Sequence, residues 1–153
     1  IAPWCQFGCH ALETPHHIFV LCPAFANLRA TATHDLSSAL DTILDENSIL
    51  DAFEPPICAA LRHITSTLFA DDASTWPQYC SHYYLGTIPN LPFEPQSIVH
   101  RRVAARITGL WHLACIRLAG RIWGDYKRKT NPFKSHRPKP AFSLPPHLNH
   151  IKL

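Results

Sequence analysis

The chain has 153 residues, of which 46% are apolar and only 16% charged, enough for one packed domain or one domain with a tail. No apolar run approaches the roughly 18 residues of a membrane span, so a soluble protein with no membrane partner is expected. The net charge of +3 conceals a division: residues 1–94 carry two basic and ten acidic side chains, residues 95–153 twelve basic and one acidic. Such asymmetry suits a polyanion-binding end, or two halves that attract each other. The sequence lacks methionine, starts at Ile1 and shows no signal-peptide pattern, so a fragment of a longer intracellular chain, nuclear or cytoplasmic, is expected.

Three of six cysteines fall within the first 22 residues, among several histidines. This clustering suits a metal site in a reducing compartment better than a disulfide framework. Cys5, Cys9, His17 and Cys22 offer three thiolates and an imidazole, the donor set of a structural zinc ion, with His10 and His16 competing for the imidazole position. Gly8 suits a tight turn between Cys5 and Cys9. Thr14-Pro15 reads as a helix start, with a hydroxyl N-cap and proline in the first turn. Residues 17 and 22 stand about 140° apart on an ideal helix, so that helix must end near Leu21 for Cys22 to swing in. Four filled positions leave none for water, which makes the ion structural.

Pro23 opens a second helix through Phe25, Leu28 and Arg29, closing a unit of residues 1–34. A helical domain is expected over 35–129. Its first part holds one or two short helices (Leu36, Leu40, Ile43, Leu44, then Ile49, Leu50 and Phe53) and a helix from Pro55-Pro56 carrying Ile57, Ala60, Leu61, Ile64 and Leu68. Residues 73–94 read as a loop region. From about 94 to 127, Val99, Val103, Ile107, Leu110, Ala114, Leu118 and Ile122 recur every three or four residues, predicting a helix about 45–50 Å long. Residues 130–153 hold five prolines and few apolar side chains, the pattern of a disordered tail. The fold class is all-α. Cys58, Cys80 and Cys115 are expected as core thiols.

The long helix is basic. Arg102, Arg106, Arg117 and Arg121 fall at separations of 4, 11 and 4, on roughly one face, and Lys127, Arg128 and Lys129 follow. Such a row can track phosphates, with Trp111 and Trp123 available to stack on bases. A solvated face, or pairing with the acidic helices of residues 35–72, competes for the arginines, and core packing is the expected use of both tryptophans.

Cys5-x3-Cys9, then Glu13-Thr14-x2-His17-x4-Cys22-Pro23, resembles the zinc knuckle that follows the polymerase domain in non-LTR (LINE-type) retrotransposon reverse transcriptases. Ile18-Phe19-Val20-Leu21 matches that family's hydrophobic run between His and Cys, and only His17 satisfies both family intervals. The retroviral nucleocapsid knuckle is less similar. The likeness covers residues 5–29; the segment from Leu110-Trp111-His112 to Trp123-Gly124 is also similar to C-terminal tails of such elements in fungal genomes. It implies one zinc ion, RNA or DNA as partner, and an upstream polymerase domain on a longer parent chain.

Phe69-Ala70-Asp71-Asp72 spells the aromatic-x-Asp-Asp sequence of a polymerase active site, where paired carboxylates hold two Mg²⁺. Here it closes a helix and not a β-hairpin, no partner Asp on an upstream strand is evident, and it follows the knuckle where the family places it before. A non-catalytic chain is expected. The alternative is a structural or protein-interaction module, a decayed or repurposed transposon fragment in which zinc only stabilises folding.

Overall fold

The computed structural model describes residues 3–46 and 53–131. Among them are three α-helices: α1, Ala26–Leu44; α2, Pro55–Ser66; and α3, Ile98–Thr130. No strand forms among the described residues, and the fold is all-α as expected. No helix among them is long and apolar enough to cross a membrane. The expected Pro-rich tail from residue 132, and Ile49 and Leu50, lie outside the described residues.

Helix α1 packs on both α2 and α3. Leu36, Leu40, Ile43 and Leu44 of α1 meet Leu61 and Ile64 of α2 and Val103, Ile107, Trp111, Leu118 and Ile122 of α3 in one core. At its centre the Trp111 indole N–H donates to Thr65 Oγ1 at 3.0 Å, and the Thr65 hydroxyl donates to the Leu61 carbonyl at 2.7 Å. Both residues are fully buried, so every polar atom in that contact must find its partner inside the protein.

The element boundaries correct several expectations. The helix beginning near Phe25 does not stop at residue 34; α1 runs unbroken across the expected domain boundary. Residues 30–34 (Ala-Thr-Ala-Thr-His) contain neither Gly nor Pro, so nothing interrupts the backbone hydrogen bonds. Helix α3 starts at Ile98 and not near residue 94, because Pro95 precedes Ser97, whose Oγ accepts the His100 N–H at 3.1 Å as a true N-cap. Its 33 residues make it about 50 Å long. Between α2 and α3 the chain is a turn-rich segment with one 3₁₀ turn, Tyr83–Leu85. Tyr83 is buried there and donates its hydroxyl to the Phe19 carbonyl at 2.7 Å, fastening this segment to the N-terminal unit.

Candidate metal centre

Residues 3–13 form a tight loop. Trp4 and Leu12 make one antiparallel bridge, Cys5 N–H donates to the Ala11 carbonyl at 2.8 Å, and Glu13 N–H to the Pro3 carbonyl at 2.7 Å. Inside the loop, the Gly8 N–H returns to the Cys5 carbonyl and Gly8 adopts φ of 79°, the left-handed conformation that a residue without Cβ takes at little cost. This turn sets Cys5 and Cys9 side by side.

The other two donors come from the next turn. Thr14 Oγ1 accepts the His17 N–H at 3.1 Å, the cap expected from Thr14-Pro15. The helix then widens into a π-turn, His17–Leu21, closed by the Cys22 N–H donating to the His17 carbonyl at 2.6 Å. An i→i+5 hydrogen bond matches the five-residue interval, so His17 and Cys22 start and finish one wide turn. Cys22 then leaves the helix with extended backbone (ψ 123°), the break that the spacing demanded.

The sulfurs of Cys5, Cys9 and Cys22 and a ring nitrogen of His17 lie within 4.8 Å of one another. Cys5 Sγ to Cys22 Sγ is 3.8 Å and Cys9 Sγ to Cys22 Sγ is 3.7 Å. These are too long for a disulfide, and all six cysteines are free. They match the edge of a tetrahedron, about 3.8 Å when a central ion binds sulfur at about 2.3 Å. His17 is buried, yet its Nε2 has no hydrogen-bond partner among the described residues. A buried ring nitrogen without a partner is costly unless it binds something else. The four residues could therefore hold a metal ion.

The electrostatics are those of crowded sulfurs. Burial works to raise the Cys5 thiol, but the Phe7 backbone N–H and the Cys9 and Cys22 sulfurs outweigh it and hold Cys5 below its ordinary value. Burial, with Cys5 and Cys22 adding, pushes Cys9 up to about 12, and burial also raises Cys22. Arg29 in the first turn of α1 donates from Nη2 to the Cys22 carbonyl at 2.8 Å, and burial lowers its own pKa. A cation in a helix's first turn opposes the helix dipole, so the hydrogen bond to the Cys22 carbonyl is what holds Arg29 there.

The competing histidines separate. His10 sits in the loop with φ of 51° and is outside the cluster. His16 points the other way, to Asp71 and Cys80. Cys80 is therefore not the expected core thiol, whereas Cys58 and Cys115 are. Asp71 and Asp72 do not form a carboxylate pair on a hairpin: Asp71 contacts His16, and Asp72 accepts the Ser74 N–H at 2.8 Å.

On α3 the basic side chains are all exposed but differ in their partners. Arg106 makes a two-pronged contact with Glu46, both N–O distances 2.7 Å. Arg128 and Lys129 pair with Asp125, Lys129 also covers the Phe25 ring, and Lys127 lies over Trp123. Arg102, Arg117 and Arg121 have no ion pair among the described residues; the last two line a shallow groove against α1 with Asp35, Leu36 and Leu110. Trp111 is core, but Trp123 is 48% exposed and stacks on Tyr126. It stands twelve residues on, about 120° around the helix from Trp111, which turns it out of the core. Comparison with family models, curated proteins and solved structures finds no match to this chain.

Proposed function

We propose that this chain is a zinc-stabilised nucleic-acid-binding module, of the kind that follows the polymerase domain in non-LTR retrotransposon reverse transcriptases. The observation that carries this reading is the convergence of Cys5, Cys9, His17 and Cys22 at tetrahedral spacing, on the intervals of that family's knuckle. Three thiolates and one imidazole suit zinc, whose borderline softness and lack of geometric preference fit a closed structural site. Three thiolates on a divalent ion leave a net negative charge, and the Arg29 guanidinium beside Cys22 offsets it.

The module contributes no active site of its own. It presents the Arg102, Arg117 and Arg121 row to the backbone of RNA or DNA, inside the cell, beside an upstream polymerase domain of a longer parent chain. The support is the lack of ion pairs for these arginines among the described residues, in a half-chain of strongly positive charge. The second reading, a structural or protein-interaction module in which zinc only stabilises folding, is favoured by one contact: Arg106 of the same row is held by Glu46.

Binding of single-stranded RNA and of a DNA duplex, titrated across a salt series with zinc and with chelator, separates the two. Affinity that falls steeply with salt and needs zinc supports the first. Absence of binding at low salt leaves the structural module.

A further inference from the structure

Next to the first centre, His16 meets two groups from the segment after α2. His16 Nε2 is 2.8 Å from Asp71 Oδ2, Cys80 Sγ is 3.5 Å from His16 Nδ1 and 3.9 Å from Nε2, and a donor atom from each of the three residues lies within 4.8 Å of the others. The cluster is partly sheltered, with the His16 and Asp71 side chains 24% and 29% exposed. Its parts are held from outside. Asp71 Oδ1 accepts the Ser81 N–H at 2.7 Å, which leaves Oδ2 for His16, and Ser81 Oγ donates to the Leu68 carbonyl at 3.0 Å. Tyr84 stacks on Phe19, rings 5.0 Å apart, and puts its hydroxyl 3.4 Å from His16 Nδ1.

We propose that His16, Asp71 and Cys80 form a second metal site, for a divalent ion of borderline softness such as zinc. One imidazole nitrogen, one carboxylate oxygen and one thiolate sulfur is a donor set such an ion accepts. A tetrahedral ion spaces N and O donors about 3.3 Å apart and N and S donors about 3.6 Å apart, so the His16–Asp71 pair must open by about half an ångström and the His16–Cys80 pair close by about 0.3 Å. His16 would bind through Nε2, the nitrogen that faces Asp71. Its Nδ1–H would donate to the Tyr84 hydroxyl, the outer partner that metal-binding histidines ordinarily have. Three protein donors leave the fourth position to solvent, unlike the closed first centre. The cation would bind Cys80 as thiolate, displacing the proton that burial and Asp71 otherwise keep on the sulfur. The ion would staple the N-terminal unit to a segment 55 to 64 residues away.

The test is metal content of the full chain after equilibration with zinc and removal of the excess. The wild type should retain two equivalents, and the Asp71→Asn/Cys80→Ser double variant one, the ion of the first centre. A wild type that retains only one equivalent, or a double variant that keeps two, overturns the second site and leaves a plain His16–Asp71 ion pair. If the double variant loses its helical circular dichroism, cobalt titration of Cys80→Ala decides. Loss of the thiolate-to-cobalt charge-transfer band that grows with the second equivalent supports the site, and its persistence overturns it.

Discussion

The Tyr126 hydroxyl, near the C-terminal end of α3, donates to Glu13 Oε1 at the end of the loop that carries Cys5 and Cys9, across 113 residues of sequence. Glu13 also accepts the Gln6 N–H at 3.0 Å, so one carboxylate joins the loop between the first two cysteines to the far end of the longest helix. The Phe7 ring reinforces this, edge-on to both Phe25 and Tyr126. The hydrogen bond holds Glu13 below the ordinary carboxylate value and pushes the Tyr126 phenol up to about 12. Tyr126→Phe should therefore cost about 1 kcal/mol at neutral pH, since Glu13 keeps its Gln6 donor and is not left unsatisfied. Urea denaturation with metal in excess checks this, and an unchanged midpoint would show that the contact contributes nothing.

Thr65 and Trp111 give a sharper test because neither has access to water. Thr65→Val keeps the shape but removes the acceptor of the indole N–H. The expected loss is about 1–3 kcal/mol, the cost of a buried donor without a partner. Thr65→Ser retains the acceptor and should recover most of the hydrogen-bond part. If Val and Ser variants unfold at the same denaturant concentration, the hydroxyl is not what matters there.

The Arg106 fork holds the Glu46 carboxyl below its ordinary value of 4.5. A group whose folded pKa is depressed contributes stability above its unfolded value, and loses it as pH falls through the folded one. Arg106→Gln should thus be slightly less stable than the wild type from neutral pH down to about 5, with the difference vanishing in more acid solution. Both side chains are almost half exposed, so the effect is small and should shrink in high salt. Paired thermal melts at several pH values read the difference directly, and a gap that widens in acid contradicts the assignment.

Metal removal should act on the N-terminal unit first. Cys5, Ile18, Val20, Cys22 and Phe25 are core residues, and of the apolar side chains in the loop that carries Cys5 and Cys9, Trp4 and Leu12 are largely exposed and Phe7 packs on the core. With chelator, amide exchange should rise most in residues 3–22, while the core amides of α2 and α3 stay protected. Cys9→Ser should abolish binding at the first centre. Cys115→Ser, whose thiol is buried on α3 away from the cluster, should retain it. Equal loss in both variants would mean that the ion is not held where the four donors meet.

The parts of this structure legible in the sequence are those governed by short intervals. The spacing of Cys5, Cys9, His17 and Cys22, the Thr14 cap and the break before Cys22 all depend on neighbours within a turn or two, where local geometry decides. The π-turn was not legible, because i→i+5 bonding wins only when the packed structure rewards it. The His16–Asp71–Cys80 cluster was not legible either. Nothing local in Cys80 distinguishes it from the buried Cys58 or Cys115, and its neighbour lies 64 residues away. Trp123 fitted an apolar face too broadly drawn, since α1 and the N-terminal unit cover only part of the circumference of α3.

The arginine row yields the prediction that most directly separates nucleic-acid binding from a merely charged surface. Arg102, Arg106, Arg117 and Arg121 spread over about 100° of one helix face, but among the described residues only Arg106 has a carboxylate on its guanidinium. To reach a phosphate it must give up Glu46, so its net gain on binding is small, whereas Arg117 and Arg121 have no ion pair to break among the described residues. Replacing either by Gln should weaken binding and reduce the salt slope by about 0.9 on duplex DNA, or about 0.7 on a single strand. Arg106→Gln should change the slope much less. Glu46→Gln should strengthen binding by freeing Arg106, and by more than it does in the Arg106→Gln background, where only the lost negative charge acts. Equal slopes across the Arg106, Arg117 and Arg121 variants would mean that charge alone, and not this row, draws the polyanion.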